Sequence, residues 1–164
     1  MRPVTVAGGG VAQVGIGEAS WAARVGRLST VGLGSCVAVA IHDPVAHVGG
    51  LIHFQLASGE LDPERARTQP FLFGDVGVRA LSHQLERLGA LPARCKVHVI
   101  GGAQIMAAVA GAQIGKKNVL VARKQLWQLG YLIEGEVVGG TASRSVTLDV
   151  AAGDLDIREH GRHS

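Results

Sequence analysis

Short aliphatic runs broken by glycine recur along the whole chain, and this punctuation limits the available folds more than any other feature. Glycine fills 24 of 164 positions, roughly twice the usual ~7%, and it follows no three-residue period, which excludes collagen. Glycine weakens helix interiors and serves turns, bends and close backbone approaches. The pattern therefore points to a sheet-rich fold and away from a helix bundle. Aromatic residues make up only 4% of the chain, so the core must be built from Val, Leu, Ile and Ala. Hydrophobic residues at 47% against 18% charged exclude intrinsic disorder. The length fits one domain, 1–164, with a tail at 159–164 expected to fray.

Pro3–Ala7 and Ala12–Ile16 read as short strands. Residues 28–42 hold an apolar strand after the Gly32-Leu-Gly34 turn. Asp43-Pro44 starts a turn, and Val48–Leu56 is a second strand. Residues 57–72, polar and carrying Pro63 and Pro70, read as a long functional loop. Asp75 is placed to N-cap a helix running to Leu88, with Val78, Leu81, Leu85 and Leu88 on one face and Gly89 past its end. A strand follows at Cys95–Ile100, then a small-residue helix over 104–110. Asn118 is expected to cap another helix that continues to Leu129 and closes at Gly130. Tyr131–Val138, Arg144–Val150 and Leu155–Arg158 complete the strands. This order argues for a mixed α/β (α+β) fold in layers, with largely antiparallel sheets. A doubly wound parallel sheet fits poorly. The stretch Gly111 to Lys117 falls one residue short of a phosphate loop and has Lys117 where Ser or Thr would hold magnesium, so ATP binding is excluded.

A net charge of +3 is a weak nucleic-acid signal, and Lys116, Lys117, Arg123 and Lys124 read as a solvated helix face. Gly8-Gly9-Gly10 interrupts any secretory leader, and the longest apolar run, Cys36–Ile41, falls far short of the ~20 residues of a membrane span. No membrane insertion and a cytoplasmic location are expected. Cys36 and Cys95 are then free thiols. No zinc-finger spacing occurs, and a metal site from His42, His47 and His53 would lack carboxylates.

Chemistry concentrates around the first hairpin. If Asp43 to Ala46 form a four-residue loop, His42 faces His47 and Cys36 faces His53 across the ladder, within thiol-to-imidazole reach. A five-residue loop would break that register. An imidazole so placed stabilises a thiolate as an ion pair and moves protons. Backbone amides around Gly34 and Ser35 are candidates for an oxyanion hole, and Thr30 for the group that orients the imidazole. Residue types alone leave the ordinary readings open: Cys36 as a small buried hydrophobe, as Cys95 reads, His53 as a satisfied core histidine, and Thr30 as a strand threonine.

The run Thr30-Val-Gly-Leu-Gly-Ser-Cys36-Val-Ala-Val-Ala-Ile-His-Asp43 and the following Gly49-Gly-Leu-Ile-His53-Phe54 resemble the chemoreceptor glutamine deamidase family, CheD. So do Phe73-Gly-Asp75, Gly101-Gly-Ala-Gln-Ile105, Ile114-Gly-Lys-Lys-Asn-Val119 and Ser143-Arg-Ser-Val-Thr-Leu-Asp149. The resemblance implies a catalytic Cys36, His53 and Thr30, and a layered α/β/β sandwich similar to bacterial toxin deamidases. It implies a protein-glutamine amidohydrolase acting through a cysteine thioester, with no cofactor and no metal. Its partners would be the cytoplasmic domains of methyl-accepting chemotaxis receptors and a CheC-type phosphatase. Gln55-Leu56-Ala57 lacks the family's proline and Phe73 replaces its tyrosine, both around the loop 57–73, where Arg65 and Arg67 are candidates for steering an acidic receptor stalk. The alternative is a non-catalytic interaction module that regulates a CheC-type phosphatase. A nucleophile beside a histidine distinguishes the two.

Overall fold

Two sheets lie face to face in the computed structural model, which describes residues 10–104 and 113–161. The strand expected at Pro3–Ala7 lies outside these residues, as does the helix expected over 104–110 from residue 105 onward. One sheet contains β1 (Val11–Gln13), β3 (Arg27–Leu33), β8 (Ser143–Asp149) and β9 (Leu155–His160), in the order β1-β3-β8-β9. The other contains β2 (Glu18–Ala23), β4 (Val37–Asp43), β5 (Val48–Phe54), β6 (Lys96–Gly101) and β7 (Ile133–Val138), in the order β2-β5-β4-β6-β7. Pairing is antiparallel except for β1 with β3 and β6 with β7. Helices α2 (Gly74–Arg87) and α3 (Ile114–Gln128) cover the outer face of the five-stranded sheet. The result is the layered α/β/β sandwich with mostly antiparallel sheets.

The central strand β4 is buried at every residue, which is why it reads as an unbroken apolar run. Val37, Val39 and Ile41 face the helices, where they join Ile52, Phe54, Val78, Leu81, Leu85, Ala122 and Leu126 in one core. Ala38 and Ala40 face the second sheet, in a core with Cys36, Leu51, Leu28, Leu33, Val146 and Leu148. Alternate residues of one strand thus serve two cores. Gly50 lets α2 pack closely on the helix side, where a Cβ would stand 2.9 Å from Leu81 Cδ1.

Several local expectations are corrected. The hairpin loop has four residues but starts one later, at Pro44, because Asp43 stays in β4 opposite Val48. Its carboxylate accepts hydrogen bonds from Val45 N (2.9 Å) and Ala46 N (3.0 Å) and so caps the turn from inside the strand. The stretch 57–72 is ordered rather than a plain loop, with 3-10 turns at Gly59–Leu61 and Pro70–Leu72 around α1 (Pro63–Thr68). Asp62 N-caps α1 through Arg65 N at 3.1 Å, with Pro63 in the first position. Asp75 does not cap α2. It lies in the first turn and accepts from Val76 N (2.7 Å), Gly59 N (2.9 Å) and Ser58 Oγ (3.1 Å), tying that stretch to the helix. Leu88 is exposed, beyond the helix end, and Gly89 follows at φ 99°. Helix α3 begins four residues before Asn118, because Gly115 lets its first turn close against the Gly102 and Ala103 carbonyls. The apolar strand expected after the Gly32-Leu-Gly34 turn is β4, whereas β3 before it, in the other sheet, and β2 lie outside the sequence expectation.

Candidate active site

Gly32, at φ 70°, interrupts the β3–β8 ladder between Thr30 and Leu33, and after Leu33 the chain crosses to β4 in the other sheet. Thr30 and Cys36 therefore lie on opposite walls of the space between the sheets. His53, on β5, reaches across that space. Its Nδ1 lies 2.7 Å from Thr30 Oγ1, and Thr30 Oγ1 donates to Val14 O at 2.5 Å. A hydroxyl has one hydrogen. That hydrogen is committed to the Val14 carbonyl, so Thr30 accepts from His53 Nδ1–H. The tautomer follows: Nε2 carries the lone pair. Nε2 is buried and has no hydrogen-bond partner among the described residues, and His53 as a whole is 1% exposed.

Cys36 does not face His53 directly. Ala38 is the residue opposite His53, and the register differs from expectation by two residues because Asp43 extends the ladder. The parity is unchanged, so Cys36 shares the inner face with Ala38 and stands diagonal to His53. Diagonal neighbours are within reach of a ring-bearing side chain, although the thiol and His53 Nε2 are not hydrogen-bonded to each other.

The segment carrying the thiol is held unusually firmly. Gly34 O accepts from Ala103 N at 2.8 Å, Ser35 O from Asn118 Nδ2 at 3.0 Å, and Cys36 O from Gly102 N at 2.9 Å. Gly101, at φ 111°, must be glycine because a Cβ would overlap the Cys36 carbonyl. Arg144, buried on β8, donates from its guanidinium to Gly101 O at 3.2 Å and joins the two sheets beside this segment. Sequence reasoning assigned roles to neither Arg144 nor the side-chain bonds of Asn118, although both residues stand in the family-like stretches.

Burial pushes the Cys36 thiol up from its ordinary value, with its own backbone N–H pulling the other way. Burial also holds the His53 imidazole down at about 4. Both groups therefore rest neutral near pH 7, in place of the thiolate–imidazolium pair expected from residue types. The N–H of Cys36 lies beside its thiol, and Gly34 and Ser35 are half-buried with their carbonyls engaged.

Arg65 and Arg67 are exposed on α1. Arg65 Nε donates to Gln69 Oε1 at 3.1 Å, and Arg67 lies 4.0 Å from Glu64. Cys95, on the helix side, donates to Leu91 O at 3.3 Å. His42, whose Nε2 lies 2.8 Å from Val150 O, and His47, in the hairpin turn, are not brought to His53. Among the described residues no three His, Cys, Asp or Glu side chains gather as metal ligands, and no helix is long and apolar enough to cross a membrane.

The class is a layered α/β/β fold that carries a threonine-bound imidazole and a glycine-framed thiol on one inner sheet face. A family model described as CheD chemotactic sensory transduction matches residues 55–159. A Solibacter usitatus protein called a probable chemoreceptor glutamine deamidase CheD is 43% identical over 135 residues, covering 82% of this chain and 80% of that one. A Thermococcus kodakarensis protein of the same description is 37% identical over 153 residues, 90% of this chain and 91% of that one. The Thermotoga maritima chemoreceptor glutamine deamidase CheD is 35% identical over 150 residues, again 90% and 91%. This chain belongs to the CheD family. Among solved structures, the Bacillus licheniformis hypothetical protein YfiH aligns with TM-score 0.44 and 15% identity over 73% of this chain and 49% of that one.

Proposed function

We propose that this chain is a cysteine-dependent deamidase of chemoreceptor glutamine side chains. The observation that carries the mechanism is the spare, buried Nε2 of His53, whose tautomer is set by Thr30. As Cys36 Sγ attacks the carboxamide carbon, His53 Nε2 takes the thiol proton. The oxyanion that forms is met by the Cys36 N–H. The imidazolium then protonates the departing nitrogen, ammonia leaves, and a γ-glutamyl thioester remains on Cys36. Water attacks the thioester while Nε2 removes its proton. The C–S bond breaks, the thiol is restored and glutamate is released. Thr30 accepts the Nδ1 hydrogen throughout and keeps the ring from rotating. Neutral resting partners suit this cycle, because the proton moves only when substrate is attacked. Each turnover leaves one more negative charge on the substrate, which is the change a receptor's signalling equilibrium can read. The reading also places the chain at receptor cytoplasmic domains in the cytoplasm.

The test is incubation of the purified chain with a receptor cytoplasmic fragment. Ammonia is expected in equal amount to the glutamines converted to glutamate, read by peptide mass. Absence of both contradicts the proposal.

A further inference from the structure

We propose that Asn118 is a positioning residue, whose side-chain amide locks the segment carrying the nucleophile to the end of the strand carrying the base. The inference rests on Cys36 and His53 holding those roles.

Asn118 is fully buried in the first turns of α3. Its Nδ2 donates both hydrogens, to Ser35 O at 3.0 Å and to Gln55 O at 2.8 Å. Ser35 immediately precedes Cys36, and Gln55 follows His53 by two residues. The amide's orientation is dictated by chemistry, because turning it over would face its oxygen with two other acceptors. The depth at which the helix presents this side chain is set one turn earlier, where Gly115 closes on the Gly102 and Ala103 carbonyls.

The peptide plane supplies the link to reactivity. A trans peptide points its C=O and N–H to opposite sides. Holding the Ser35 carbonyl toward Asn118 therefore aims the Cys36 N–H away from the helix, toward Cys36 Sγ. That N–H is the one group pulling the thiol's acidity against burial. The arrangement is costly for stability alone, since Asn118 Oδ1 is buried with no hydrogen-bond partner among the described residues, and a buried unsatisfied acceptor calls for an explanation. One side chain touching both arms of the site provides it.

The experiment compares Asn118→Ala, Asn118→Asp and Leu126→Ala with the unaltered chain. Asn118→Asp conserves volume while removing the donors from the ionised side chain. Leu126→Ala opens the core of the same helix far from the site and reports what loss of helix packing does. Two quantities are read: steady-state deamidation of a receptor cytoplasmic fragment, and the pH dependence of iodoacetamide alkylation followed at the Cys36 peptide. Both Asn118 variants should lose about tenfold or more in kcat, with KM within about threefold. Their alkylation midpoints should move up by about half a pH unit or more, as the Cys36 N–H swings off the thiol. Leu126→Ala should lower the melting temperature and move neither quantity. Asn118 variants that match Leu126→Ala in kcat and midpoint overturn the proposal. Cys36→Ala, run alongside, separates the layers of the argument. Ammonia release retained there strikes the nucleophile itself, whereas a dead Cys36→Ala beside fully active Asn118 variants strikes only the positioning role.

Discussion

The two cysteines of this chain are almost equally buried, Cys36 at 7% and Cys95 at 8% exposure, yet their surroundings differ. Cys95 lies on the helix side of the five-stranded sheet. Its thiol is spent on the Leu91 carbonyl at 3.3 Å. Burial first, and the Asp43 carboxylate second, push it up to about 12, with Arg94 opposing. Cys36 lies on the other face, in a segment whose Gly34, Ser35 and Cys36 carbonyls are tied back, diagonal to an imidazole whose Nε2 has no partner among the described residues. Burial alone does not separate a structural thiol from a reactive one. What separates them is whether a neighbouring group stands ready to take the proton, and whether the backbone around the sulfur leaves an N–H for the charge that develops.

Breaking the acceptor should have the largest effect. His53→Ala removes the group proposed to take the thiol proton, and receptor deamidation should fall by about a thousandfold or more. Thr30→Val keeps the shape and removes the hydroxyl, so the ring can turn and change tautomer, and kcat should fall by about ten- to a hundredfold. Rate measurements on folded variants check both. Equal losses in the two would mean that Thr30 does more than orient the ring, and no loss in Thr30→Val would remove the hydroxyl from the mechanism.

Asp43, beside Cys95, should show the reverse profile. It is fully buried and accepts from Val45 N, Ala46 N and Leu91 N, and from Arg94 at 3.0 Å. Burial works to raise its carboxyl, but these donors outweigh it and hold the group at about 2. Asp43→Ala strands the donors and should cost about 3 kcal/mol of stability, with kcat at moderate temperature within about twofold of the unaltered chain. The sign of the pH effect follows from the depressed value. The ionised carboxylate's contribution is complete above about pH 4 and fades as pH falls toward 2. The gap in denaturant midpoint between the variant and the unaltered chain should narrow as pH falls from 6 to 2. A gap unchanged over that range contradicts the assignment.

The same contrast explains what could be read in the sequence. Glycine turns and aliphatic runs carry the layered fold, and the spacing of Thr30, Cys36 and His53 carries their placement around one space. Register was missed by two residues because Asp43-Pro44 looks like a turn start, while the Asp43 carboxylate caps the turn from within the strand. Helix α1 was signalled by Asp62-Pro63, an N-cap followed by proline, inside a stretch whose polarity suggested a loop. Strand β2, Glu-Ala-Ser-Trp-Ala-Ala, holds no β-branched residue, so propensity is silent and pairing with β5 decides it. Asn118 was read as a cap because local pattern favours that reading. Its real partners lie 83 and 63 residues away, a separation no local pattern reports.

The central claim is that Cys36, and not Cys95, forms the covalent bond to substrate. Ammonia release from a receptor cytoplasmic fragment, measured for folded Cys36→Ala and Cys95→Ala side by side, tests it most directly. The account predicts no release above the uncatalysed background for Cys36→Ala, and a rate within about twofold of the unaltered chain for Cys95→Ala. Turnover by Cys36→Ala at the unaltered rate would contradict it and leave an interaction module in place of a cysteine-dependent enzyme.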